Sequence, residues 1–139
     1  MWLNSLCEWT NKGIAYAIIT IIKAEGSVPR GVGSKMVVNE LGDIDGSVGG
    51  GVVEHVSREQ AAKAIRENKC FTLDFSLKGD VWQVTEERTV QGMCGGSLTV
   101  FIEPFLPHSE LVIFGGGHIG EKLGKFCETM NFPYRVYDD

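Results

Sequence analysis

The chain has 139 residues, 43% hydrophobic and 22% charged, with a net charge of −5. It is long enough to bury a core, and it has the balance of a soluble globular protein. The acidic surplus, without a basic stripe interleaved with aromatics, argues against a nucleic-acid partner. The apolar run over residues 13–24 holds Tyr16, Thr20 and Lys23 and is too short and β-branched for a membrane span.

In chain order, residues 1–12 suggest a short helix. They carry an acid and no basic stretch, unlike a signal peptide, so a cytoplasmic location is expected. Residues 14–23 form an unbroken β-branched run, expected as a core strand. A loop dense in glycine and proline follows over residues 24–33. Residues 35–39 and 44–48, joined by a turn over 40–43, read as a hairpin. Three glycines, Gly49, Gly50 and Gly51, end it. Residues 52–68 then place Val52, Val56, Ala61, Ala64 and Ile65 at helical spacing, predicting an amphipathic helix. Residues 71–76 alternate like a half-buried strand, 82–91 are polar and ambiguous, and 97–103 read as another strand. The Pro-Phe-Leu-Pro stretch over 104–107 marks a linker, so a domain boundary is expected at about residue 107.

Beyond the linker, the apolar run Leu111–Phe114 opens into Gly-Gly-Gly-His-Ile-Gly over residues 115–120. A strand running into G-x-G-x-x-G and then a helix is the start of a dinucleotide-binding βαβ unit. Ile119, Leu123, Phe126 and Cys127 fall at helical spacing for one buried face. Asn131 and Pro133 punctuate, and residues 134–137 read as a second strand. Gly115 would permit the tight bend, Gly117 the approach of backbone to pyrophosphate and Gly120 the helix–strand contact. Asp138 falls near the roughly 20-residue spacing expected of a ribose-binding acid. With 18 glycines in the chain the motif is also compatible with a plain strand-to-helix turn, and the chain ends as the second strand finishes.

Three glycine-rich loops lie before the linker: residues 25–33 with Arg30, residues 46–54 with the triple glycine and Glu54, and residues 91–97 with Cys94, Gly95 and Gly96. The second leads into a helix, so its amides could hold an anion. It lacks the Gly-Lys-Ser/Thr ending of a nucleotide-hydrolysing loop. Arg30 offers a forked, permanently charged donor for phosphate or carboxylate. The alternative for each loop is a turn that needs glycine only for its geometry. The cysteines Cys7, Cys70, Cys94 and Cys127 form no C-x-x-C pair and, with His55, His108 and His118, no zinc pattern. Cys7, Cys70 and Cys127 read as structural, whereas Cys94 sits among small loop residues that leave a thiol accessible.

These motifs, in order, resemble the XdhC/CoxI family. The residues that carry the likeness are Glu25 to Arg30 with Gly33 and Met36, then Gly46 to Gly51 with Glu54, then Cys94 to Gly96, Ile102 to Pro104, and Val112 to Gly120. Members are accessory proteins for xanthine dehydrogenase and related molybdenum hydroxylases. The resemblance implies an α/β chain: a mixed α+β XdhC/CoxI domain over residues 1–107, then the first βαβ part of a Rossmann domain over 108–139, C-terminally truncated. It also implies binding of molybdenum cofactor (molybdopterin), shelter while a cysteine desulfurase installs the terminal sulfido ligand, and delivery to a molybdenum hydroxylase client.

Carried over by motif, Cys94, Gly95 and Gly96 contact the cofactor, with Gly49, Gly50, Gly51, Glu54 and Arg30 lining the site. Some relatives have cysteine where this chain has Val52, which argues against a two-thiol site. A homodimer is expected. No general acid–base pair stands out, in keeping with a carrier more than an enzyme. Two alternatives remain open: an NAD(P)-dependent oxidoreductase using the Gly115–Gly120 turn with Cys94 as a redox thiol, and a structural subunit that binds nothing.

Overall fold

The structure is a computed structural model that describes residues 1–78, 81–85, 96–107 and 109–139. The chain divides into two units, residues 1–106 and 107–139. The first is a mixed α/β unit on an antiparallel sheet, and the second is a parallel two-stranded βαβ unit.

In the first unit, α1 (Trp2–Asn11) precedes β1 (Tyr16–Glu25), β2 (Lys35–Asn39), β3 (Ile44–Gly46), α2 (Gly51–Glu67), β4 (Phe71–Lys78), β5 (Val81–Thr85) and β6 (Ser97–Phe105). The six strands are ordered β3-β2-β1-β6-β4-β5, with every pairing antiparallel. Strand side chains alternate between faces, and this alternation builds the core. Ala17, Ile19 and Ile21 of β1 bury beside Leu98, Val100 and Ile102 of β6, with Leu73 and Phe75 of β4. Helix α2 covers this face with Val53, Ala61, Ala64 and Ile65. Helix α1 lies near β2 and β3. Its Ser5 hydroxyl donates to Asp45 at 2.7 Å, and buried Trp9 stands 6.1 Å from Tyr16, which stacks on Phe105.

The buried stripe of α2 is as predicted at Ala61, Ala64 and Ile65, with Val56 half-buried against the core, and differs at its start. Val52 is 46% exposed and Val53 is buried. Cys7 and Cys70, expected to be structural, are both exposed; Cys127 is buried.

Ser57 also faces the core, and its Oγ has no hydrogen-bond partner among the described residues. A buried hydroxyl without a partner is costly. Ser57→Ala is therefore expected to raise stability by about 1 kcal/mol, read as a higher melting temperature. A lower one would mean that the hydroxyl is satisfied in solution.

The second unit holds β7 (Leu111–Phe114), α3 (His118–Thr129) and β8 (Tyr134–Tyr137), with Leu111 opposite Tyr134 and Phe114 opposite Tyr137. The face of α3 turned to the strands differs from the one predicted. Gly120, Gly124 and Cys127 are buried, while Ile119 and Phe126 are 78% and 62% exposed and Leu123 is also exposed. The cause is close approach. A Cβ on Gly124 would come within 3.0 Å of the Tyr134 ring, and one on Gly120 would meet the Gly115 carbonyl oxygen and Ile113. Only glycine lets the helix lie that near, so the large residues turn outward. Among the described residues no helix is long and apolar enough to cross a membrane.

Candidate functional site

The loop between β1 and β2 brings the first unit's glycine-rich segments together. A Cβ on Gly49 would lie 2.6 Å from Pro29 Cγ. A Cβ on Gly96 would run into the carbonyl oxygen of Ser27 and approach Val28 Cγ1 to 3.1 Å. The 25–33 loop therefore touches the triple-glycine loop through Pro29 and the start of β6 through Ser27 and Val28. Arg30, next to Pro29, is exposed. Cys94 and Gly95 lie outside the described residues, as does His108.

The triple glycine is a left-handed run: φ is 123° at Gly49, 76° at Gly50 and 57° at Gly51. Residues with a Cβ resist this conformation, so three in succession account for three glycines. The run turns the chain from the hairpin into α2 and folds Glu54 back over it. One carboxylate oxygen, Oε1, accepts from the Ser47 hydroxyl at 2.6 Å, the Gly50 amide at 2.9 Å and the Val48 amide at 3.2 Å. The Gly49 amide donates to Ser47 Oγ at 3.3 Å. Burial raises the Glu54 pKa, but the hydrogen bonds from Ser47, Gly50 and Val48 outweigh it and hold the carboxyl below the usual glutamate value. The loop amides thus do hold an anion, and that anion is the chain's own Glu54.

The opening-turn amides of α2, at Gly51, Val52 and Val53, have no carbonyl four residues back to reach within the helix. Gly50 and Gly51 have open space where a side chain would stand. An anionic group could approach there without displacing protein atoms. Among the described residues no three His, Cys, Asp or Glu side chains cluster as metal ligands. The sequence reading missed two residues that build this site. Ser47 is signalled only by a hydroxyl placed just before the triple glycine, and Pro29 only by a proline inside a glycine loop.

In the second unit, Gly115 adopts φ 104° and Gly117 caps α3. Nothing lies within 4 Å of where a Cβ on Gly117 would stand, whereas one on Gly116 would come 2.5 Å from Asp138 Oδ2. A cavity of about 510 Å³ is lined by Gly115, Gly117, His118, Gly120 and apolar neighbours. The structure therefore brings Gly115, Gly117, Gly120 and Asp138 around one turn.

A family model described as the XdhC and CoxI family matches residues 9–76. The chain is 30% identical over 125 residues to the uncharacterized protein YqeB of Escherichia coli (strain K12), a match that covers 88% of this chain and 22% of YqeB. It thus spans about a fifth of the length of that curated relative. Among solved structures it resembles one described as a xanthine dehydrogenase from Bacillus halodurans. The TM-score is 0.55 at 19% identity, over 95% of this chain and 61% of the other; at that identity the likeness speaks for the fold. The match over residues 9–76 bears out the resemblance of the chain to the XdhC and CoxI family.

Proposed function

We propose that the chain is an accessory factor for a molybdenum hydroxylase of the xanthine dehydrogenase type, and that its first unit holds molybdenum cofactor for that client. The match to the XdhC and CoxI family over residues 9–76 supports the accessory role. The observation that carries the site is the meeting of loop 25–33 with both Gly49 and Gly96.

The residues present fit the cofactor's anionic end. The opening amides of α2 and the open faces of Gly50 and Gly51 can receive a phosphate, and exposed Arg30 follows Pro29, which touches Gly49. Glu54 does a different task from ligation: it ties Ser47, Val48 and Gly50 so that the loop keeps its turn. Cys94, from its place in the sequence two residues before Gly96, supplies a soft thiol suited to molybdenum or its sulfur ligands. The bound group supplies redox chemistry at molybdenum to the client enzyme. The chain's own part is to bind and shelter it while a cysteine desulfurase acts, and then to release it.

Protein purified anaerobically from cofactor-producing cells should carry pterin–molybdenum absorption and stoichiometric molybdenum. Cys94→Ser should lose most of both, while Cys127→Ser, a change at a buried helix position, should retain them. Equal retention by wild type and Cys94→Ser would remove Cys94 from the site. Absence of molybdenum and pterin from the wild type would remove the reading itself.

A further inference from the structure

Ser47, Val48 and Gly50 direct a hydroxyl and two amides onto a single oxygen, Glu54 Oε1, at 2.6, 3.2 and 2.9 Å. Backbone amides that converge in this way form a concavity that takes small oxyanions in general. Here the occupant is a side chain of the same protein. Glu54 is half-buried, so its carboxylate can swing to solvent while the core stays closed. The frame that holds it is anchored on its own account: the Val48 side chain is fully buried, and Gly49 lies against Pro29. The other side is open, since nothing lies within 4 Å of a side-chain position on Gly50 or Gly51.

Two sets of donors therefore flank the carboxylate, the satisfied ones at residues 47–50 and the opening amides of α2 at 51–53. Glu54 is ionised at neutral pH, its carboxyl being held below the usual value. An anion seated on the α2 amides alone would stand beside that charge and be repelled. A phosphate escapes the repulsion by taking the donors of Glu54 as well, and its several oxygens can engage both sets. Such an exchange trades one group of hydrogen bonds for a similar group. Displacing Glu54 thus lowers the apparent affinity and keeps the loaded and empty states close in energy. A carrier that must surrender its cargo needs that balance.

We propose that Glu54 is an internal competitor for the cofactor's phosphate. Its carboxylate fills the loop in the empty carrier, yields those donors when the cofactor binds, and retakes them as the cofactor leaves. This role rests on the molybdenum-cofactor reading and supplies the release step of the same site. It reverses what the family resemblance implies for Glu54, because a lining residue helps to retain the cofactor and a competitor loosens it.

Inorganic phosphate, titrated into the isotope-labelled full chain at neutral pH and constant ionic strength, tests the exchange by amide magnetic resonance. In the wild type, the Val48 and Gly50 amide signals should move together with those of Gly51, Val52 and Val53, with one midpoint. Glu54→Gln, which removes the charge, should bind phosphate about tenfold more tightly than wild type. Movement confined to Gly51, Val52 and Val53 would overturn the exchange, since phosphate would then sit beside an undisplaced Glu54. Equal or weaker binding by Glu54→Gln would overturn it too and make Glu54 a builder of the site. So would the absence of any shift in the wild type with millimolar phosphate. The wild-type signals decide even where the variant is too unstable to titrate. Failure of the cofactor reading itself is seen separately, as absence of molybdenum and pterin from the purified protein.

Discussion

Gly96→Ala should destabilise the first unit by about 3 kcal/mol, a fall of roughly 10 °C in melting temperature. The new Cβ would overlap the Ser27 carbonyl oxygen and press on Val28. Ser27 offers backbone there, not the tip of a flexible side chain, so relief requires moving the loop or the start of β6. That start is paired to β1, with Ser97 opposite Glu25, and shifting it disturbs the centre of the sheet. Gly31→Ala serves as the control in the same loop. It has open space and no left-handed backbone, and it should melt within about 1 kcal/mol of wild type. Indistinguishable melting of Gly96→Ala and wild type would mean that the loop yields freely and does not join the glycine segments.

Glu54→Ala should have the next largest effect, a loss of about 2 kcal/mol, because three donors converging on Oε1 lose their acceptor together. Glu54→Gln keeps an acceptor oxygen and should lose less. The pH dependence has a definite sign. A carboxyl whose folded pKa lies below its unfolded value adds stability above the unfolded value, and that stability is lost as pH falls through the folded value. With an ordinary glutamate value of 4.5 lowered in the fold, the advantage of wild type over Glu54→Gln should hold at neutral pH and shrink below about pH 4.5. Denaturant midpoints for the two proteins across that range provide the measurement. A gap that widens toward acid would contradict the assignment.

The elements with strong period-two or period-3.6 patterns were legible from residues alone. The hairpin of β2 and β3, the strand Leu111–Phe114 and the existence of α2 and α3 follow from alternation, turn residues and apolar spacing. What periodicity did not reveal is which way a helix turns when glycine allows close contact. In α3 the apolar count favoured Ile119, Leu123 and Phe126 as the buried face, yet Gly120 and Gly124 face the strands. Hydrophobicity measures what a side chain gains by burial, whereas glycine marks where a backbone can be reached, and a one-dimensional pattern weighs only the first. The same gap hid the site's assembly. Pro29 and Gly49 are 20 positions apart along the chain, and nothing in either segment states that they touch. Glu54 was legible as a loop acid, but the identity of its donors depended on three left-handed residues in a row.

The strand order carries a consequence for synthesis. β1 occupies the middle of the sheet, and the partner on its far side from β2 is β6, with Tyr16 opposite Phe105. Pairings between segments so distant along a chain form slowly, because a long loop must close before any contact rewards it. As the polypeptide leaves the ribosome, β1 and the β2–β3 hairpin emerge first, while β6 emerges only after α2, β4 and β5. Until then Ile19 and Ile21 belong to a sheet with an open edge, the kind of surface on which a nascent chain aggregates or recruits a chaperone. A ribosome stalled before residue 97 would therefore hold a protease-sensitive chain, and one stalled late enough to release residue 105 would hold a resistant one.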